Sequence, residues 1–128
     1  MILLDTCTLL WLVGNEDRIS TRAAGLIGEN ADRLYYSAMS GFEIGVKYAA
    51  GKLLLPLAPF DWLQQAMTHH GITEIPVTME LALKACLLPP IHRDPCDRII
   101  IATAQVMGCS IATPDPLIRS YPGVKCEW

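Results

Sequence analysis

No C-x-x-C pair occurs in the 128 residues, and the five cysteines, Cys7, Cys86, Cys96, Cys109 and Cys126, are an odd set. A disulfide framework and a thiolate zinc site are both disfavoured, and most of these thiols are expected in the core. His69 and His70 are adjacent and so leave a helix on different faces, while His92 stands alone; no imidazole metal site is indicated. No apolar run reaches the length of a membrane span, and Met1 leads straight into ILLD without the basic start and cleavage site of a secretory leader. The chain is therefore expected in the cytoplasm, with no membrane partner. The phosphate-cradling G-x-x-x-x-G-K-[ST] loop is missing, as are repeats and low-complexity segments. Basic residues are not in excess: 10 Lys and Arg face 13 Asp and Glu, a formal net charge of -3. Any contact with nucleic acid must be local.

What is present is apolar sequence, 52% of the chain, with a mean hydropathy of +0.31. That is high for one small domain, expected to span residues 1–128, and implies apolar surface covered by a partner, a homodimer being expected. Short apolar runs alternate with helical periodicity. Ile2–Leu4, Leu34–Ser37, Thr73–Val77, Ser110–Thr113 and Val124–Trp128 read as strands, with Pro76 placing the third at an edge. Helices are expected from Thr6 to Val13, from a Ser20 cap to about Asn30, from Ser40 to near Gly51, from about Phe60 to His70, from Thr78 to before Pro89, and from Asp94 to Met107 with Gly108 beyond its end. The alternation predicts an α/β fold with a mostly parallel central sheet flanked on both faces by helices.

In open sheets of this class ligands collect at the carboxyl ends of the strands. Asp5 follows the strand ILL and Asp115 follows SIAT, while Glu43 and Asp97 fall in the first turns of two helices able to reach the same edge. Four converging carboxylates repel one another and call for cations. Oxygen donors without organised His or Cys suit magnesium, or manganese, far better than zinc. Such ions hold phosphate oxygens and activate water, the chemistry of phosphodiester cleavage.

Each acid also has a purely structural explanation. Asp5 and Asp115 suit helix caps; Asp94 followed by Pro95 reads as an N-cap with a first-turn proline; Asp97 can pair with Arg98. Glu43 completes a capping box with Ser40 and an i,i+4 pair with Lys47. Singly, the caps explain each position. They do not explain why all four acids fall at one edge.

The segments ILLDTCTLLWL, SAMSGFEIGVKYAAGKL, HRDPCDRIIIATAQ and IATPD, in that order and spacing, resemble the PIN domain, and within it the VapC-type toxins of bacterial toxin–antitoxin pairs. HRDPCDRIIIATA carries most of the likeness. The resemblance covers almost the whole chain and implies a PIN-like three-layer sandwich and a magnesium-dependent ribonuclease. Asp5 would be the central metal ligand, Asp97 and Asp115 would assist, and Glu43 would hold a second metal or orient the attacking water. Two-metal in-line hydrolysis is the mechanism expected from these roles. Thr6 and Thr113 would support the acids, and Ser40 would cap the helix that aims Glu43. Cys96 stands where an aromatic residue is usual and Gly41–Phe42 replaces an aliphatic–Trp pair, departures that affect packing and leave every carboxylate in place.

The implied partners are a structured RNA such as a transfer RNA, a cognate small antitoxin wrapped over apolar helices, and DNA only indirectly through that antitoxin. Lys47, Lys52, Arg93 and Arg98 are candidates for neutralising RNA phosphates, although such residues are usually solvated or paired. Trp11, Trp62, Tyr35, Tyr36, Met67, Met79 and Met107 are expected to pack. Two other functions compete: a binding or regulatory module that keeps the acidic edge without chemistry, and a metal-dependent phosphatase, which the missing phosphate loop disfavours.

Overall fold

The computed structural model describes all residues, Met1–Trp128. Ile2–Leu4 (β1) is buried at every position, which suits a strand covered on both faces, and it sits at the centre of a five-stranded, wholly parallel sheet of order β3-β2-β1-β4-β5. The other strands are Leu34–Ser37 (β2), Thr73–Ile75 (β3), Ser110–Ala112 (β4) and Cys126–Glu127 (β5). As Pro76 predicted, β3 lies at an edge and ends just before the proline.

Side chains alternate across β1. Ile2 and Leu4 join a core with Leu9 of helix α1 (Thr6–Gly14), Ala23 and Ile27 of α2 (Thr21–Glu29), Ile44 of α3 (Ala38–Ala49) and Met67 of α4 (Pro59–His70). Leu3 points the other way, into a core with Leu81 of α5 (Met79–Cys86), Ile100 and Ile101 of α6 (Pro95–Met107) and Ile118 of α7 (Pro116–Arg119). Two helical layers therefore enclose the sheet, the three-layer α/β sandwich expected. Gly71 and Gly108 end α4 and α6 with positive φ of 64°, a conformation open to glycine at little cost.

Connections from β1 run outward to β2 and β3, and the chain then crosses back to place β4 on the other side of β1. The β1/β4 boundary is thus the point where strand order reverses, and the crevice at its carboxyl end is where this architecture places ligands. Asp5 and Thr113 are the residues that immediately follow the two strands.

Three expectations change. Helix α3 begins at Ala38, with Ser37 as its cap accepting from Met39 N at 3.1 Å, so Ser40 is neither cap nor part of a capping box and Glu43 lies beyond the first turn. Ser40 is instead buried and accepts a hydrogen bond from Thr6 at 3.0 Å, tying α3 to the start of α1. Of the cysteines, only Cys96 and Cys109 are fully buried and Cys86 is exposed. Met67 packs in the core as expected, whereas Met79 and Met107 are exposed. Trp11, Trp62, Tyr35 and Tyr36 pack against the two cores.

Candidate active site

Asp5 caps α1 and belongs to the crevice at once. Its Oδ1 accepts from Thr8 N at 2.8 Å, while Oδ2 accepts from the hydroxyl of Thr113, beyond β4. The Cys7 thiol donates to both oxygens at 3.3 and 3.4 Å. Thr113 in turn accepts from Asp115 N at 3.1 Å, so one hydroxyl links the two strand-end acids. Burial raises the Asp5 carboxyl above its ordinary range, opposed by the hydrogen bonds from Thr113 and Thr8.

Asp115 divides its oxygens in the same way: Oδ1 caps α7 through Leu117 N at 2.8 Å, and Oδ2 lies 3.3 Å from His92 Nε2. The same imidazole nitrogen is 2.8 Å from Asp97 Oδ2. Capping a helix therefore does not keep a carboxylate from facing the crevice, because it has two oxygens to use. Asp94 accepts from Cys96 N at 2.8 Å and from Asp97 N at 3.4 Å, which starts α6 and presents Asp97 in its first turn.

Glu43 reaches the same place from α3. Its Oε1 accepts from Lys47 at 3.3 Å, whereas Oε2 is buried with no hydrogen-bond partner. A buried carboxylate oxygen left unpaired costs on the order of 1–3 kcal/mol or more. Burial, then the charges of Asp94 and Glu43, push the Asp97 carboxyl up to about 7, with His92 opposing and Asp115 adding to the rise. Burial and the charges of Asp94, Glu43 and Asp97 likewise push the Cys96 thiol up to about 12. These shifts show how the edge is built: acidic groups held close in a poorly solvated place, short of positive charge.

The candidates fall into two linked groups. Asp97, Asp115 and His92 place ligand atoms within 4.8 Å of one another, with the Glu43 charge acting on Asp97. Asp5 joins them through Thr113. The donors are mostly hard carboxylate oxygens, one unpartnered and two in carboxyls raised above their ordinary range, which is the chemistry a divalent cation would satisfy. Thr113 touches Asp5 directly, whereas Thr6 and Ser40 bond to each other.

Two residues behave otherwise than the sequence led one to expect. Arg98 does not pair with Asp97 and does not face solvent phosphate. Its guanidinium donates to the carbonyls of Ala85 (2.8 Å), Leu88 (2.9 Å), Pro89 (3.0 Å) and His92 (3.1 Å), and to the Tyr121 hydroxyl (3.3 Å). Lys47 is engaged with Glu43, which leaves Lys52 and Arg93 as exposed cations among the four considered. His92 was not assigned to the site from sequence; its position five residues before Asp97, with a proline-started helix between, is the signal that would have found it.

The PIN domain family model matches residues 2–124. The chain is 33% identical over 121 residues to ribonuclease VapC22 of Mycobacterium tuberculosis (strain ATCC 25618 / H37Rv), covering 94% of this chain and 91% of the relative. Its fold is similar to a chain in the crystal structure of VapBC2 from Rickettsia felis bound to a DNA fragment from its promoter, with a TM-score of 0.71, 14% identity and 99% and 98% of the two chains covered. It is also similar to a chain of a toxin–antitoxin complex from Klebsiella pneumoniae, with a TM-score of 0.64, 20% identity and 97% and 95% covered.

Proposed function

The chain belongs to the PIN domain family, and from that premise we propose that it is a metal-dependent endoribonuclease of the VapC kind, the toxin of a toxin–antitoxin pair. The observation that carries the proposal is the unpartnered, buried Oε2 of Glu43 beside the raised Asp97 carboxyl, at the edge where Asp5 follows β1 and Asp115 caps α7 just beyond β4. An acidic edge kept for solubility would be solvated. This one is largely withdrawn from water, with Asp5 buried and Glu43, Asp97 and Asp115 half-buried, and a cation would offset its crowded charge.

Asp5, Asp97 and Asp115 would hold the cation, magnesium or manganese, and Glu43 would join them or orient water. When bound, such an ion neutralises phosphate charge and favours attack by water. The chain's own residues do the rest. Thr113 fixes the Asp5 carboxylate against β4, the Asp94 cap fixes the start of α6, and Lys47 sets the direction of Glu43. The exposed Lys52 and Arg93 would supply positive charge to an RNA backbone.

Exposed apolar side chains support the partner proposals. Phe42, Val46, Leu54, Phe60, Met79 and Leu87 are between 51% and 93% exposed, too many for a small monomer in water. A small antitoxin and a second copy of the chain would cover them. No helix is long and apolar enough to cross a membrane.

Purified protein free of antitoxin, incubated with total RNA, is expected to generate new discrete ends with magnesium and none with chelator. Mapping those ends would identify the RNA. Ends that form equally with chelator would overturn metal dependence, and no ends under either condition would favour the binding module.

A further inference from the structure

We propose that His92 is a positioning residue whose Nε2 donates to Asp97 and Asp115 and holds the two carboxylates together, and that it is not itself a ligand of the cation they would bind. The inference rests on the cation-binding role given to those acids above. It starts from the other ring nitrogen. Nδ1 accepts a hydrogen bond from Asp94 N at 3.2 Å, and in a neutral imidazole an accepting Nδ1 leaves the hydrogen on Nε2. Nε2 faces Asp97 Oδ2 at 2.8 Å and Asp115 Oδ2 at 3.3 Å, both acceptors. The three ligand-type residues are therefore not equivalent: two offer lone pairs, and the third offers a hydrogen. Ligation through Nε2 would require that hydrogen to leave and the Asp94 contact to be given up.

The ring is also held from its backbone. His92 N donates to the Tyr121 hydroxyl at 2.7 Å, Tyr121 donates to Pro89 O at 2.9 Å, and Arg98 donates to His92 O at 3.1 Å. Three contacts to the loop thus aim one N–H between two carboxylates whose mutual repulsion would otherwise separate them. Partners that orient ligands in this way typically contribute about 10–100-fold in metal affinity.

The test combines ¹⁵N NMR of the imidazoles with magnesium titration of the full chain and of His92→Gln and His92→Phe. Loss of one imidazole signal set in His92→Gln assigns His92 among the three histidines. The expected result is a hydrogen on Nε2 with and without magnesium, magnesium affinity about tenfold or more weaker in His92→Phe, and recovery in His92→Gln, whose amide nitrogen reaches the Nε2 position. A hydrogen on Nδ1 in the metal-free protein, or its loss from Nε2 when magnesium is added, would overturn the assignment. Unchanged affinity in His92→Phe would overturn it as well. If the unaltered protein binds no magnesium, the cation reading of the carboxylates fails, while the metal-free spectrum still decides whether His92 is the donor. The same signal set can be assigned in the unaltered protein by backbone-to-ring correlation, so that answer does not depend on a variant that misfolds.

Discussion

Asp97→Asn is expected to abolish RNA cleavage, by about 100-fold or more, while making the metal-free protein more stable at pH 8. The loss follows from removing a charged ligand at the centre of the acidic edge, where several kcal/mol of transition-state stabilisation are at stake. The gain follows from linkage. The folded-state carboxyl lies at about 7 against an ordinary 3.8, so the folded chain binds this proton more tightly than the unfolded chain. Its stabilising contribution is complete below about pH 3.8 and is lost as pH rises through about 7. Above that, an ionised Asp97 destabilises the fold by about 2 kcal/mol after discounting for solvent screening, and the uncharged Asn removes that penalty. Thermal unfolding in chelator at pH 4 and pH 8 checks the sign: the two proteins should converge at the lower pH and separate at the higher. Magnesium should then raise the melting temperature of the unaltered protein more than that of the variant. An active variant, or one less stable at pH 8, would remove Asp97 from the role assigned to it.

Arg98→Ala should be the most damaging change outside the carboxylates. Five hydrogen bonds from one guanidinium reach four carbonyls, at the end of α5 and along the loop to His92, and the Tyr121 hydroxyl. Deleting it removes a donor from all four carbonyls at a helix end already short of partners; Pro89 O keeps the Tyr121 hydroxyl and Ile91 N, and Ala85 O keeps Leu88 N, so the loss falls mainly on Leu88 and His92. A loss of roughly 3 kcal/mol, or about 10 °C in melting temperature, is expected. Arg98→Lys should recover little, because a single ammonium cannot span acceptors that a planar fork reaches together. Cleavage should fall in both variants as the loop that carries His92 loosens. Full stability in Arg98→Ala would show that the loop holds itself.

The parts of this molecule that were legible in its sequence are those governed by local chemistry. Ile2–Leu4 is continuously apolar and became the central strand; Asp94-Pro95 opened α6 and Gly108 closed it; Pro76 confined β3 to an edge. What escaped depends on distant partners. Ser37 and Ser40 are equally good caps by residue type, and only the buried contact of Ser40 with Thr6, 34 residues away, decides between them. Arg98 looked available for Asp97 or for phosphate, but the returning end of α5 supplies its carbonyls. His92 appeared solitary because Asp115, which it meets, is 23 residues downstream. That the acids gather at one edge was legible from their placement at strand and helix ends. Capping does not decide against a second use, because Asp5 and Asp115 each spend one oxygen on a helix N-terminus and turn the other toward the crevice.

Anomalous diffraction from crystals soaked in manganese tests this edge most directly. A peak coordinated by the carboxylates of Asp5, Asp97 and Asp115, with Glu43 beside it and His92 still donating to Asp97, is the predicted result. The absence of a peak between those carboxylates at full manganese loading, or a peak held elsewhere on the chain, would contradict it.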